Sequence, residues 1–134
     1  MNLSAAHQYK LVIVGGGAGG CGTASKFANK FGPGEVCVIE PRSEHYYQPL
    51  WTLVGAGLKP LAQSVRPMKD VLPRKVTWVQ DGVQRFDPSE NSLMTNNGDT
   101  IKYEWLVIAA GLQLRFAMVL NLNQFSVSSL DVKR

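Results

Sequence analysis

The sequence predicts an α/β fold, a parallel sheet with an inserted antiparallel meander, on three observations. An apolar run, KLVIV at residues 10–14, meets a glycine cluster (Gly15, Gly16, Gly17, Gly19, Gly20, Gly22) that opens an amphipathic stretch. A second apolar run, EVCVIE at 35–40, follows, so strand, helix and strand succeed one another within about 30 residues, the length of a βαβ unit. Farther on, short alternating runs flank Asn96-Asn97-Gly98-Asp99, and Asn-Gly between such runs marks a hairpin.

Each element has its own reason. Residues 10–14 are apolar without alternation after Lys10, as in a parallel strand covered on both faces. From Ala18 to about Phe31, Ala24, Phe27, Ala28 and Phe31 recur at helical spacing with Lys26, Asn29 and Lys30 opposite, and Gly32-Pro33-Gly34 ends the helix. Residues 41–75 hold Pro41, Pro49, Pro60, Pro67 and Pro73, which excludes one long crossover helix and leaves short helical turns near 50–56 and 67–71. KVTWVQ (75–80), GVQRFDP (82–88) and NSLMT (91–95) then read as an antiparallel meander, ahead of a final buried strand at 105–109.

At 134 residues and 45% hydrophobic content, the chain can build one core. Its net charge of +4 is spread over scattered Lys and Arg residues, so nucleic acid is not an expected partner. No stretch reaches the roughly 18 to 20 apolar residues of a membrane-spanning helix. The opening MNLSAAHQ has no apolar core and no Arg, so no targeting segment is visible. Cys21 and Cys37 show neither CxxC nor metal-ligand spacing and read as small buried hydrophobes, with no metal site.

Glycine is entropically costly, so a cluster of it implies a need for bare backbone. Gly15, Gly17 and Gly20 form G-x-G-x-x-G directly after a strand and opening a helix. In that setting Gly15 permits the tight turn, Gly17 lets a pyrophosphate approach, and Gly20 lets the helix pack on the sheet. The free N–H groups near Ala18 and Gly19 then meet anionic oxygens at a helix N-terminus. Glu40 stands 20 residues after Gly20 at the end of the second strand. There an acid accepts from ribose hydroxyls and repels a 2′-phosphate, which disfavours NADP. The fold is thus Rossmann-like, and the fingerprint alone leaves FAD and NAD both open.

The Pro-rich excursion and the meander, followed by Ala109-Ala110-Gly111, resemble the glutathione-reductase-like flavoproteins, whose FAD domain carries such an insertion. More specifically, EPRSEHYYQPLWTLVGAG at 40–57, with the glycine loop and YEWLVIAAGLQL, resembles the sulfide:quinone oxidoreductases, the mitochondrial type above all, over residues 9 to 115. The resemblance implies FAD as cofactor, with Ala18 and Gly19 at the pyrophosphate beside the fingerprint glycines Gly15, Gly17 and Gly20, and Glu40 at the ribose. It further implies Gln48 at the cofactor's far side, Val83 at the adenine through its main chain, and Ala110 and Gly111 at the small-residue turn. It also implies sulfide and ubiquinone as partners of the full-length family and a mitochondrial, inner-membrane-associated location.

The family's redox cysteines, second dinucleotide-like domain and membrane-binding end correspond to nothing here, and no catalytic residue is assigned to Cys21 or Cys37. The expected organisation is a tail at 1–8, an FAD-binding domain at 9–115 and a divergent tail at 116–134, a truncated chain inactive alone. The competing readings are a small NAD-binding oxidoreductase or redox-sensing domain, and a non-catalytic truncated isoform.

Overall fold

The computed structural model describes residues 7–112; the tail expected at 116–134 lies outside them. Strand β1 (His7–Val14) leads through the glycine loop into helix α1 (Ala18–Phe27), which returns the chain to β2 (Val36–Ile39). The excursion that follows holds a two-stranded hairpin, β3 (Glu44–Tyr46) with β4 (Val65–Pro67), around the short helix α2 (Trp51–Gly55). Helix α3 (Met68–Val71) and strand β5 (Thr77–Val79) bring the chain back to the main sheet, and β6 (Val83–Asp87), β7 (Ser92–Thr95) and β8 (Thr100–Ile108) complete it.

The six strands lie in the order β5-β2-β1-β8-β7-β6. The first four are parallel, with Leu11 opposite Val36 and Trp105, and Cys37 opposite Thr77; β6, β7 and β8 pair antiparallel. Strand β1 is central, and its alternate residues feed two cores. Leu11 and Ile13 join Val36, Val38, Cys21, Ala24, Met68 and Leu72 on the α1 face. Val12 and Val14 join Cys37, Ile39, Leu93, Ile101 and Tyr103 on the other. This explains the unbroken apolar run: a strand covered on both faces has no polar side to alternate with.

Two expectations are corrected. Residues 77–79 do not belong to the antiparallel meander; they form a third parallel strand on β2, with Trp78 Nε1 donating to Glu40 O at 2.9 Å. A three-residue strand is too short for its alternation to report which neighbour it will take. The last strand is also not a separate buried element. Strand β8 runs unbroken from the hairpin, its first residues paired to β7 and the stretch from Ile101 to Ile108 to β1. Beyond Lys102 no described strand takes its second edge, and Trp105 and Ile108 are 67% and 62% exposed.

Short helical elements at Gln48–Leu50, Trp51–Gly55 and Met68–Val71 agree with the proline spacing. Helix α1 stops at Phe27, earlier than its apolar period, and Phe31 continues the same face from a turn, stacked 5.8 Å from Phe27. No described helix is long and apolar enough to cross a membrane.

Candidate functional site

The carboxyl ends of the parallel strands converge on the glycine loop. Gly15 N–H donates to Ile39 O at 2.8 Å, Ala109 N–H to Val14 O at 2.7 Å, and Glu40 N–H to Val79 O at 3.0 Å. From β1 the chain builds outward through β2 to β5 on one side and reaches β8 on the other. In open α/β sheets the ligand crevice opens at such a reversal of strand order.

The loop divides cleanly by exposure: Gly15, Gly16 and Gly20 are buried, whereas Gly17, Ala18 and Gly19 face outward. Gly15 has φ +105°, and a side chain on it would meet the Ala109 carbonyl, with Ala110 Cα 2.9 Å away. A side chain on Gly20 would run into the Gly15 carbonyl. By contrast, a Cβ on Gly17 would find nothing within 4 Å. Gly15 and Gly20 are therefore demanded by the protein's own packing, and Gly17 by nothing in the protein.

The opening of α1 completes this asymmetry. Its N-cap is Gly17, which has no side chain to accept from the first turn, and the first turn holds no acid. Cys21 N–H makes the first helical bond, to Gly17 O at 2.9 Å. Of the N–H groups before it, those of Ala18 and Gly19 belong to exposed residues and have no partner within the helix, with the positive end of the helix dipole behind them, whereas Gly20 is buried against the Gly15 carbonyl. This donor set and the open space over Gly17 fit a pyrophosphate.

Glu40, half-buried at the end of β2, accepts from Gly16 N–H through Oε2 at 2.7 Å and from Arg42 N–H through Oε1 at 2.9 Å. A carboxylate offers about four lone-pair sites, so two remain for ribose hydroxyls. Glu40, Gly16, Gly17, His45, Gln48 and Met68 are among the residues lining one open cleft of about 70 Å³. Exposed Gln48 begins the turn under Tyr46 and Trp51, whose rings meet edge to face at 6.3 Å.

The structure thus brings Gly17, Glu40 and Gln48 to one cleft, while Gly15, Gly20 and the Ala109-Ala110 turn pack on one another and are not among its lining residues. Gly111, with φ +69°, ends the turn after β8. Val83, half-buried at the start of β6, is not among that cleft's lining residues; it packs with the second core. A broader hollow of about 370 Å³ lies elsewhere, beside Lys10, Glu35 and Glu104, and shares no residue with the glycine loop.

Sequence reasoning missed the β3–β4 hairpin and the contact it makes, in which buried His45, noted only as part of the 40–57 motif, brings Nδ1 to 2.9 Å from Gly16 O. Strands of three residues carry too little pattern to be read, and the motif at 40–57 marks His45 without saying what it touches. Both cysteines are free and buried, as expected. Burial pushes the Cys37 thiol up to about 12, and burial, then the Glu40 charge, raises Cys21. The two lie on opposite faces of the sheet, so they do not form a pair. Among the described residues no cluster of His, Cys, Asp and Glu could hold a metal ion.

The chain is 42% identical over 116 residues to the mitochondrial sulfide:quinone oxidoreductase of Mus musculus, covering 87% of this chain and 26% of that protein. Against the protein of the same name from Dictyostelium discoideum it is 46% identical over 116 residues, 86% of this chain and 26% of the relative. It therefore spans about a quarter of the length of these relatives.

Among solved structures, the sulfide:quinone oxidoreductase of Aquifex aeolicus superposes with a TM-score of 0.66 at 25% identity, over 83% of this chain and 26% of that one. The NADH:rubredoxin oxidoreductase of Clostridium acetobutylicum, at 0.60 and 23% identity over 81% and 29% of the two chains, shares the fold. The family described as pyridine nucleotide-disulphide oxidoreductase matches residues 9–132, and this membership implies a flavin cofactor. The chain belongs to the pyridine nucleotide-disulphide oxidoreductase family, and the likeness of its motifs to the sulfide:quinone oxidoreductases extends along 87% of its length.

Proposed function

We propose that this chain binds FAD through the adenine dinucleotide half of the cofactor, as the flavin-binding portion of a sulfide:quinone oxidoreductase. The observation that carries the proposal is the uncapped α1 N-terminus beneath the open space at Gly17, with Glu40 beside it. Gly17, Ala18 and Gly19 offer N–H donors to the pyrophosphate, Gly15 supplies the turn that aims them, and Gly20 lets the helix pack close beneath. Glu40 accepts from the ribose hydroxyls, and its charge opposes a 2′-phosphate, so NADP is rejected. Gln48 holds the cofactor's far side, Val83 the adenine through its main chain, and Ala110 and Gly111 let the cofactor lie close to the end of β8.

Bound flavin supplies a two-electron acceptor; the protein's part is to bind and orient it. In the family reading, electrons pass from sulfide through FAD to ubiquinone at the mitochondrial inner membrane, leaving sulfane sulfur. The residues of this chain support the binding part alone. Cys21 and Cys37 are buried on opposite sides of the sheet, so neither offers sulfide an accessible redox pair, and the chain alone is proposed to be inactive.

Visible absorption after mild purification tests the reading. A folded protein that carries or takes up flavin supports it. A colourless folded protein that binds NAD and excludes FAD points instead to a small NAD-dependent oxidoreductase or redox-sensing domain.

A further inference from the structure

The peptide joining Gly16 to Gly17 is held from behind by two buried side chains that the reading above leaves without a role. Its carbonyl oxygen lies 2.9 Å from His45 Nδ1 and 3.1 Å from Cys21 Sγ. A carbonyl oxygen only accepts, so the imidazole nitrogen facing it carries the proton, and the ring is the Nδ1–H tautomer. The other arrangement has the thiol donating to Nδ1 across 3.7 Å. That would set two acceptor lone pairs against each other at 2.9 Å in a buried place, where an unmet acceptor is costly.

The direction of this bond matters because a trans peptide points its C=O and N–H opposite ways, and no described peptide is cis. Anchoring Gly16 O inward turns Gly17 N–H the opposite way, at a residue that is itself exposed. A Gly-Gly peptide has little steric resistance to rotation, so the orientation of this donor depends on what holds the oxygen. The preceding peptide is held separately, by Glu40 accepting from Gly16 N–H. Successive peptides of the loop are thus fixed from β2 and from β3.

We propose that His45, with Cys21 as the weaker second donor, is a positioning residue of the phosphate site: from β3 it locks the Gly16–Gly17 peptide so that Gly17 N–H faces the incoming pyrophosphate. This rests on the dinucleotide reading of the loop. It gives the excursion between β2 and β5 a part in cofactor binding that involves no contact with phosphate. Hydrogen bonding of this kind preorganises a donor before the ligand arrives, which lowers the cost of binding.

The test combines a ligand-free readout with a titration. Histidine-labelled NMR on the unaltered 134-residue chain, above the ordinary histidine range, should show His45 protonated at Nδ1; the Nε2–H form overturns the proposal. The Gly17 amide should be rigid, with an order parameter of about 0.85, in the unaltered protein and in His45→Asn, whose side-chain N–H replaces Nδ1–H. It should fall toward about 0.6 in His45→Leu.

In titrations with FAD and with ADP, His45→Leu should bind about tenfold more weakly, His45→Asn within about threefold of the unaltered protein, and Cys21→Ala about twofold more weakly. Equal Gly17 order and equal affinity in the Leu variant overturn the proposal. If His45→Leu does not fold, the tautomer and Cys21→Ala decide. A chain that binds neither ligand sinks the dinucleotide reading, while the tautomer and the amide order still decide whether His45 anchors the peptide.

Discussion

At the scale of single residues, two glycines of one motif answer to different masters, and substitution should separate them. Gly20 packs against the Gly15 carbonyl, so Gly20→Ala should destabilise the fold by about 1 to 3 kcal/mol through overpacking, read as a lower Tm. Gly17 faces open space, so Gly17→Val should leave circular dichroism and Tm nearly unchanged and abolish FAD and ADP binding, because its methyl groups fill the room for the pyrophosphate. Flavin binding retained in folded Gly17→Val would make the loop a structural turn. Glu40→Ala should weaken binding by about 1 to 3 kcal/mol, the cost of leaving ribose hydroxyls without an acceptor. Calorimetry showing unchanged affinity would remove Glu40 from the ribose position.

At the scale of elements, β2 sits in the middle of the core and carries a thiol that burial holds as the protonated form up to about 12. An unfolded thiol ionises near about 8.5. Between those values the unfolded chain has released a proton that the folded chain retains, so stability falls as pH rises through the window, by at most about 1.4 kcal/mol per pH unit for this group. Melting curves from pH 8 to pH 11 should show the decline, and Cys37→Val should flatten it; an identical slope in the variant would assign the effect elsewhere.

Strand β8 makes a different prediction. It carries the exposed apolar side chains Trp105 and Ile108, which favour association. Trp105→Lys with Ile108→Lys should reduce self-association in sedimentation without lowering Tm, and unchanged association would locate the contact on another surface. The sequence was most readable where an element is long and has one cause. Residues 10–14, the start of α1 and the Asn97-Gly98 turn all lie where their chemistry puts them. It was least readable where pairing is decided by distant neighbours: nothing local tells 77–79 to join β2, or 44–46 to bring His45 under the loop. Gly17 and Glu40 of the cleft were legible because glycine spacing and an acid at a strand end have direct chemical meaning, whereas Gln48 was singled out through the family resemblance. The buried support behind them was not.

At the scale of the whole molecule, the chain offers a cleft proposed for half of a dinucleotide and no accessible sulfur pair, since its two cysteines face opposite cores. Freshly purified monomer should therefore show no sulfide-dependent quinone reduction above background, and turnover would force Cys21 or Cys37 back into the chemistry. The most direct measurement is a calorimetric titration of the folded 134-residue monomer with FAD, ADP and NADP in parallel. The account predicts one site per chain, FAD and ADP bound with similar affinity because the loop and Glu40 address the half they share, and NADP bound much more weakly. A folded monomer that binds neither FAD nor ADP, or that prefers NADP, would contradict it.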